Sequence, residues 1–233
     1  MPFRPGPDFS TCTRTPSWRP GVLVSALLLG ACIHPVDAPA WRIEAEDPAA
    51  IVRIGSSGSI DIDTAKGLTL WHPQRLAGPV RIRFEAMAVA RGGPNDAVSD
   101  LNAFWMASDP AVAEGSVFAA GRTGRFEGYD TLKTYYVGIG GNRNMTTRMR
   151  RYVGVPGVRP LLPEHDRTGA ADMLRPNRWT TITLIADGSH IAVERDGRTL
   201  FVLNDAEPYR SGWFALRTTQ SHLKIRRLRI SHR

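Results

Sequence analysis

The sequence predicts an all-β fold, an antiparallel two-sheet β-sandwich. Residues 80–90 alternate Val80, Ile82 and Phe84 with charged side chains, which is the period-two pattern of a strand with one buried face. Asp-Gly pairs at 187–188 and 196–197 mark hairpin turns between three β-prone segments. No segment has the apolar periodicity of a helix of three turns. We therefore expect about eleven to thirteen strands and no long helix.

The predicted strands follow one another from Trp41 to Ser231. Residues 100–109 carry bulk on both faces, one of which comprises Asn102, Phe104 and Met106, so this strand should be central. The predicted strands are 41–46, 50–55, 56–64, 67–73, 80–90, 100–109, 178–187, 189–196, 198–205, 212–218 and 223–231, with a hairpin inside 129–152. The side chains expected to be buried are Trp179, Ile182, Leu184, Ile191, Val193, Phe201, Trp213, Phe214 and Leu216.

The segment 129–152 carries the most unusual composition of the chain. It packs four tyrosines, four arginines and two asparagines around a turn predicted at Gly140-Gly141-Asn142. By the period-two rule, Tyr136 shares a face with Thr134 and Gly138 in the first strand. The corresponding face of the second strand consists of Thr146, Arg148, Arg150 and Tyr152. A face with hydroxyls, an aromatic ring and cations suits a polyhydroxylated or anionic ligand, although a solvated outer face with Tyr–Arg pairs is the simpler alternative.

The first 31 residues have the pattern of an export signal. Arginines precede a short apolar run at 22–29, which is too short to span a bilayer. Residues 29–32, Leu-Gly-Ala-Cys, resemble the lipobox of bacterial lipoproteins, so we predict a signal peptide at 1–31, lipidation at Cys32 and a tether at 32–40. The folded domain is predicted at 41–233. A signal cleaved after Ala38 or Ala40 is the alternative.

This reading places the protein outside the cytoplasm, as a lipoprotein facing the periplasm or the outer membrane. The chain has two cysteines, one in the signal and Cys32, so we expect neither a disulfide nor a cysteine-bound metal in the domain. The formal net charge is +8. For an exported protein this favours an acidic glycan or lipid as partner rather than nucleic acid. We expect a monomer attached to the membrane by its lipid.

Three segments also carry a family resemblance: DLNAFWMA (100–107), GGNRNMTTRMRRY (140–152) and the closing GWFALRT…LKIRRLRI (212–230). In this order they resemble an uncharacterised secreted bacterial domain family with a concanavalin-A-like lectin/glucanase jelly roll. The resemblance covers roughly residues 41–231. It implies a jelly-roll fold and a role linked to polysaccharide degradation. It supplies no agreed catalytic set.

The residues of the polar hairpin suit a polysaccharide lyase that cleaves uronate chains by β-elimination. This reaction needs a group that stabilises the developing enolate and a base near the abstracted proton. We assign catalytic roles to Asn102, Tyr129, Tyr136 and Arg148, and expect neighbouring arginines to lower the pKa of the tyrosine that acts as base. The residues assigned to substrate binding are Trp105, Arg125, Tyr135, Asn144, Arg150, His165, Arg217 and His222.

Two other functions remain open at this stage. A glycoside hydrolase needs two carboxylates, and Asp100, Glu127, Asp130 and Glu164 are the candidates. A non-catalytic glycan-binding module would stack sugars on Trp71, Trp105 and Tyr136. No cofactor is predicted. The aspartates of 60–64 and 203–205 are the candidates for a structural calcium, but they lack a spaced ligand motif.

Overall fold

The structure, a computed structural model, describes residues 40–232. This part of the chain contains thirteen strands, and its longest helical segment has four residues. The strands are β1 Arg42–Ala45, β2 Ile51–Ile54, β3 Ile60–Trp71, β4 Leu76–Ala77, β5 Val80–Ala88, β6 Leu101–Ser108, β7 Lys133–Gly140, β8 Thr146–Val153, β9 Asp166–Arg167, β10 Thr180–Asp187, β11 His190–Arg195, β12 Arg198–Asn204 and β13 Ser211–His232. The all-β antiparallel fold predicted from the sequence is confirmed.

Short helical turns occupy parts of the connections. Four of them are 3-10 turns, and the fifth is a helical turn between β7 and β8. Their bounds are Ala113–Gly115, Phe126–Tyr129, Gly141–Asn144, Pro163–His165 and Ala170–Asp172.

Strand β13 joins the two halves of the fold. It is 22 residues long, pairs with β6 in its first part and with β5 in its second, and pairs with β3 on its other edge. Half-sheet A is defined as β3, the first part of β13, β6, β7, β8 and β9; half-sheet B is the second part of β13, β5, β10, β11 and β12. The sequence predicted two strands in place of β13 and two in place of β3, but each pair forms one continuous strand. In β13, Gln220 and Arg227 take left-handed backbone at the register irregularities, so this strand bends there without ending.

The main core contains apolar side chains from both half-sheets. Trp105 Nε1 of β6 donates to the carbonyl of Ile185 in β10 at 3.3 Å, and the rings of Phe84 and Phe214 lie 6.1 Å apart. Eight of the nine side chains predicted to be buried are buried. The exception is Trp179, which is half-buried because it precedes β10 and stacks under the guanidinium of Arg226, 3.9 Å from its ring centroid.

A second apolar cluster covers the outer face of half-sheet A. The connection 109–132 folds over this face and adds Val117, Phe118 and Tyr129 to the sheet residues Trp71 and Phe104. Strand β6 is therefore buried on both faces, as predicted. The prediction that Met106 faces the same way as Phe104 is wrong. Left-handed backbone at Met106, with φ of 54°, shifts the register there and turns its side chain into the main core.

The signal, Cys32 and nearly all of the tether lie outside the described residues. Between residues 40 and 232, no helix is long and apolar enough to cross a membrane.

Candidate functional site

A row of polar residues crosses the outer face of half-sheet A. Each member is the direct register partner of the next, so the row runs perpendicular to the strands and across five strand pairs. From β3 to β9 the members of this polar row are Thr69, Arg217, Asn102, Gly138, Arg148 and Asp166.

An aromatic row lies beside the polar row, two residues along each strand. It consists of Trp71, Ala215, Phe104, Tyr136 and Arg150, again paired in register from β3 to β8. The predicted hairpin is correct in this respect, because Tyr136 pairs directly with Arg150 and Gly138 with Arg148. The alternation rule therefore placed the polar face of the hairpin correctly.

An open groove with a volume of about 770 Å³ lies over one end of these two rows. Its floor contains Asn102, Tyr136 and Gly138, and Arg148 and Arg150 of β8 lie along one side. The other walls come from segments outside the rows. They are residues 97–100 before β6, the turn 141–143, Thr146, the bulge at 219–220 and Phe126 from the connection.

Gly138 keeps the floor of the groove open. A Cβ at this position would lie 2.5 Å from Tyr136 Oη and 3.0 Å from Asn102 Oδ1. Both polar atoms therefore approach the same point above the sheet. Any larger residue would displace them, so the open floor of the groove requires glycine at this position.

Asn102 supplies a buried and unsatisfied acceptor to this floor. The residue is 2% exposed, and its Oδ1 has no hydrogen-bond donor among the described residues. Its Nδ2 donates to Asp100 Oδ1 at 3.4 Å. A buried acceptor without a partner costs roughly 1–3 kcal/mol of folding free energy, so its position at a groove indicates a place for a ligand donor.

Asp100 is the carboxylate among the residues that line the groove. Burial raises its pKa above the usual range, and hydrogen bonds from Ser99 and Asn102, with the charge of Arg217, offset this only in part. Its left-handed backbone, with φ of 55°, directs the chain into β6. Sequence reasoning assigned it only as one of four carboxylates for hydrolysis. Of the other three, Asp130 is bound to Arg159, whereas Glu127 and Glu164 are exposed, and none lines the groove.

The raised pKa of Tyr136 favours a phenol that stays protonated over one that acts as a base. Burial raises its pKa well above the ordinary value, and the charges of Tyr152 and Asp100 raise it further. Arg217 and Arg150 lower the pKa by less. The expectation that arginine neighbours give this tyrosine a low pKa is therefore wrong, because desolvation outweighs their charges.

Most arginines of the hairpin have partners from distant segments. Arg148 donates to both carboxylate oxygens of Asp166, at 2.7 and 3.1 Å, and Arg151 donates to Asp205 at 2.7 Å. Arg150 donates to the carbonyl of Arg159. The sequence has no acidic residue between Lys133 and Arg159, which predicts that Arg148 and Arg150 either face water or bind an anion. That prediction is wrong for Arg148, because β9 brings the carboxylate of Asp166 to it.

Arg143 and Phe126 are groove residues that sequence reasoning missed. Arg143 is exposed, lines the groove and has no hydrogen-bond partner among the described residues. It lies within three consecutive left-handed residues, 142–144, which are uncommon for residues other than glycine. Phe126 is half-buried, and the guanidinium of Arg159 lies 4.4 Å from its ring centroid. The Gly-Gly-Asn-Arg-Asn run was the sequence signal for the unusual turn.

Several residues assigned to the site from the sequence lie away from the groove in the interior. Trp105 and Tyr135 belong to the main core, and Tyr135 Oη donates to Asp205 at 2.7 Å. Tyr129 is buried in the aromatic cluster and donates to Glu44 at 2.8 Å. His165 is buried against Phe201, with Nε2 2.9 Å from the carbonyl of Val202. The catalytic role predicted for Tyr129 and the substrate-binding roles predicted for Trp105, Tyr135 and His165 therefore fall on residues that do not line the groove.

The remaining assigned residues hold structural contacts. Arg217 is 1% exposed, donates to Thr69 Oγ1 and the Gly124 carbonyl at 2.8 Å, and lies over two aromatic rings. Asn144 joins the turn to Leu174 through two hydrogen bonds. Arg125 is largely exposed and pairs with Glu46.

His222 lies between two aspartates, with each ring nitrogen 2.9 Å from a carboxylate oxygen of Asp61 or Asp96. No group of three or more His, Cys, Asp or Glu side chains within residues 40–232 is arranged to hold a metal. The aspartates proposed for calcium have other partners. Asp61 contacts His222 and Lys224, Asp63 accepts from Asn95, and Asp205 binds Tyr135 and Arg151.

Solved structures with a similar fold cover most of this chain. A protein of unknown function with a galectin-like fold from Bacillus subtilis superposes with a TM-score of 0.58 at 15% identity, covering 82% of this chain and 89% of its own. The carbohydrate-binding module CBM66 from Bacillus subtilis gives 0.54 at 8% identity, covering 82% and 94%. The Emp46p carbohydrate recognition domain gives 0.54 at 11% identity, covering 82% and 87%. The jelly-roll fold that the resemblance implied is confirmed.

Sequence comparison identifies a family as well. Residues 62–228 match the family described as "Domain of unknown function (DUF6250)". This range includes every residue that lines the groove. A comparison with curated proteins gives no match.

Proposed function

The chain belongs to the DUF6250 family, and we propose that it binds a glycan in the groove above Asn102, Tyr136 and Gly138. One observation carries the proposal: Asn102 lies in the floor of an open groove, and its buried Oδ1 has no donor among the described residues. A sugar hydroxyl would donate to this oxygen and accept from the phenol of Tyr136. Burying a polar ligand is favourable only where such groups are paired, and this floor offers both a donor and an acceptor.

The similar structures support a carbohydrate ligand. Two of them are named as a carbohydrate-binding module and a carbohydrate recognition domain. The mode of binding proposed here relies on hydrogen bonds rather than on ring stacking. Trp71 and Trp105 are fully buried, and Tyr136 is 7% exposed, so none of the three offers a ring face to a sugar.

The charge of the groove favours an acidic glycan. Three arginines and one aspartate line it. Asp166 neutralises the charge of Arg148. The charges of the other two are not neutralised by a carboxylate among the described residues, because Arg143 has no partner there and Arg150 donates to a neutral carbonyl. A uronate carboxylate accepts well from such guanidinium groups, which form two parallel hydrogen bonds to it.

A comparison of two glycine variants tests the groove. Gly138→Ala places a methyl group between Tyr136 Oη and Asn102 Oδ1, whereas Gly128→Ala meets nothing within 4 Å. Neither glycine has a positive φ, so both accept alanine without backbone strain. Binding to a panel of neutral and uronate oligosaccharides should be measured by calorimetry. We expect Gly138→Ala to weaken binding by about 10-fold or more, the equivalent of losing one or two neutral hydrogen bonds, and Gly128→Ala to bind as the wild type does.

If no oligosaccharide of the panel binds, or if both variants bind as well as the wild type does, the proposal fails. Thermal unfolding of both variants serves as the control, because a folded Gly138→Ala protein that does not bind localises the loss to the groove.

The neighbouring Asp100 and Tyr136 favour a second candidate, β-elimination on the bound uronate. Asp100, with its raised pKa, would take the proton α to the carboxylate. The bond to the leaving oxygen would then break, and Tyr136 would protonate that oxygen, while Arg150 stabilises the enolate charge. In this mechanism the base is Asp100, and not a tyrosine as predicted from the sequence. Hydrolysis is less favoured, because only one carboxylate lines the groove.

The unsaturated product of a lyase absorbs ultraviolet light, so turnover and binding can be separated. Asp100→Asn should lower turnover by about 100-fold or more, the usual effect of losing an acid–base group, while binding persists. Glycan binding without product from the wild type would reject the lyase and leave the binding function. Export with lipidation at Cys32 remains a proposal from the sequence, to be tested by mass spectrometry of the mature N-terminus.

A further inference from the structure

A second concavity, of about 580 Å³, lies at one end of half-sheet B. We call it the arginine cleft. The connection 167–178 and the ends of β11 and β12 surround it, and Ala86 and Ala88 of β5 contribute apolar surface. Five arginines and two aspartates line the cleft: Arg167, Arg175, Arg178, Arg195, Arg198, Asp172 and Asp196.

The two aspartates are committed to other groups. Asp196 accepts from the hydroxyl of Thr180 at 3.0 Å and from the backbone N–H of Thr181 at 2.8 Å. Asp172 Oδ1 accepts from Arg167 at 3.5 Å. Within the part of the chain that the structure describes, neither carboxylate forms a salt bridge with the other four arginines. The formal charge of the lining is therefore 5 − 2 = +3.

Arg195 is the fixed member of the cluster. Its guanidinium donates to the carbonyls of Asp172 and Met173, at 2.9 and 2.8 Å, and to Thr180 Oγ1 at 3.3 Å. All three acceptors are neutral, so its position is fixed but its charge is not compensated by an ion pair. Burial lowers its pKa, and the charges of Arg175 and Arg178 lower it further, which outweighs the opposite effect of Asp196 and Asp172.

Three exposed arginines accompany Arg195 without partners of their own. The guanidinium groups of Arg175, Arg178 and Arg198 have no hydrogen bond or ion pair among the described residues. This differs from the hairpin, where Arg148 and Arg151 pair with carboxylates. Like charges gathered around a concave surface repel one another, and a bound anion relieves that repulsion.

We propose that the arginine cleft binds a sulfate or phosphate ester group carried by a small ligand. Such a group presents three acceptor oxygens in different directions, and several guanidinium forks around one cavity can engage them together. The cavity has the size of a small-molecule site. The arginine cleft is separate from the groove, because the two concavities share no lining residue. The proposal therefore does not depend on a glycan binding in the groove.

Calorimetry on the full chain with four probes tests the proposal. The probes are a sulfated disaccharide, its unsulfated form, inorganic phosphate and a short DNA oligonucleotide. We expect the sulfated disaccharide and phosphate to bind, and the unsulfated sugar to bind at least about 10-fold more weakly at this site. The double variant Arg175→Ala/Arg178→Ala should lose about 10-fold or more in affinity for both oxyanions. Both side chains are exposed, so the variant is expected to fold.

Arg53→Ala is the matched control, since Arg53 is exposed on β2 and outside both concavities. It should leave oxyanion binding unchanged. Equal affinity of the double variant and the wild type would overturn the proposal. An equal loss of oxyanion affinity in Arg53→Ala would also overturn the proposal. So would an affinity for DNA that falls in the same proportion in every variant, because each result indicates a general attraction of polyanions to a basic protein. Gly138→Ala should bind the sulfated probe at the cleft normally, which separates this test from that of the groove.

Discussion

The aromatic row and the polar row lie side by side on one sheet face, yet Phe104 of the first is sealed while Asn102 of the second borders an open groove. Phe104 and Asn102 show the contrast most clearly, because they are two residues apart on β6 and point the same way. Phe104 is fully buried among Trp71, Tyr129 and Tyr136. Asn102 is also buried by its neighbours, but it lines a groove of about 770 Å³.

The difference comes from two features of the chain. The connection 109–132 lays Phe118, Phe126 and Tyr129 over the aromatic row and ends its cover at Phe126, on the edge of the groove. The polar row has Gly138 at its centre, where any side chain would fill the space. Phe104 and Asn102 therefore differ in role although they are neighbours on one face, and substitutions at these two positions should affect stability and the candidate function separately.

The largest expected effect is at the sealed Phe104. Phe104→Ala removes a ring that packs against four others, and it should lower the free energy of unfolding by about 3–5 kcal/mol. Asn102→Ala should cost about 1 kcal/mol or less, because its amide makes one long hydrogen bond and leaves Oδ1 unpaired. Denaturant unfolding measures both.

Glycan binding should show the opposite order. Asn102→Ala should lose binding while it remains folded, whereas any folded fraction of Phe104→Ala should retain it. Similar losses of stability in the two variants would mean that the rows form one structural unit and that the contrast drawn here is incorrect.

A pair of tyrosines gives a smaller and sharper contrast. Tyr129→Phe removes one of the two donors to Oε2 of the buried Glu44, the other being Trp71 Nε1. Because Oε1 of the same carboxylate has no partner among the described residues, the loss should cost about 1–3 kcal/mol. Tyr136 makes no such hydrogen bond, so Tyr136→Phe should change stability by less than about 0.5 kcal/mol. Thermal unfolding measures the difference, and glycan turnover should fall in Tyr136→Phe alone. Loss of turnover in a fully folded Tyr129→Phe protein would restore the role assigned to it from the sequence.

Sequence reasoning succeeded where local periodicity decides the outcome. Alternation in β7 and β8 placed Tyr136, Gly138, Arg148 and Arg150 on one face, and the turn set their register. Alternation also identified the core of β10 and β11. The prediction for Trp179 is wrong because this residue precedes β10 and stacks under Arg226, a contact that alternation within one strand does not indicate.

The remainder of the site depends on segments that meet only in the fold. Asp166 and Asp205 reach the hairpin arginines from 18 and 54 residues away along the chain. Tyr129 belongs to a connection whose path over the aromatic row no periodicity describes. The wall residues Asp100 and Arg143 depend on left-handed backbone, which a sequence of Asn, Asp and Gly permits but does not specify.

Two aspartates should give pH effects of opposite sign. Burial raises the pKa of Asp205, but hydrogen bonds from Tyr135, Arg151 and the N–H of Glu207 lower it by more, so the net shift is downward. Its stabilising effect is therefore present above the unfolded pKa, about 3.9 for an aspartate, and is lost as pH falls through the folded value. Asp205→Asn should cost on the order of 1 kcal/mol at neutral pH and flatten acid unfolding.

Asp100 shows the reverse behaviour. Its folded pKa is raised, chiefly by burial, so its contribution is most favourable below the unfolded pKa and is lost as pH rises through the folded value. Asp100→Asn should therefore raise the melting temperature at neutral pH and leave it nearly unchanged in acid. Melting curves across the pH range measure both variants. A destabilised Asp100→Asn protein at neutral pH would show that this carboxylate is structural.

The smallest effect on stability is expected at the partner of Arg148. Asp166 and Arg148 are about one-third exposed, so water and salt screen their pair, and Asp166→Asn should cost less than about 1 kcal/mol. The same change removes the negative charge that neutralises Arg148 beside the groove. Affinity for an acidic oligosaccharide should then rise several-fold at low salt, and this gain should shrink as salt is added.

Asp172→Asn, which removes a carboxylate from the arginine cleft rather than the groove, is the matched control and should leave that affinity unchanged. A gain in both variants would trace the effect to net charge. A gain in Asp166→Asn alone would assign the anionic group of the ligand to the position above Arg148, at the end of the polar row.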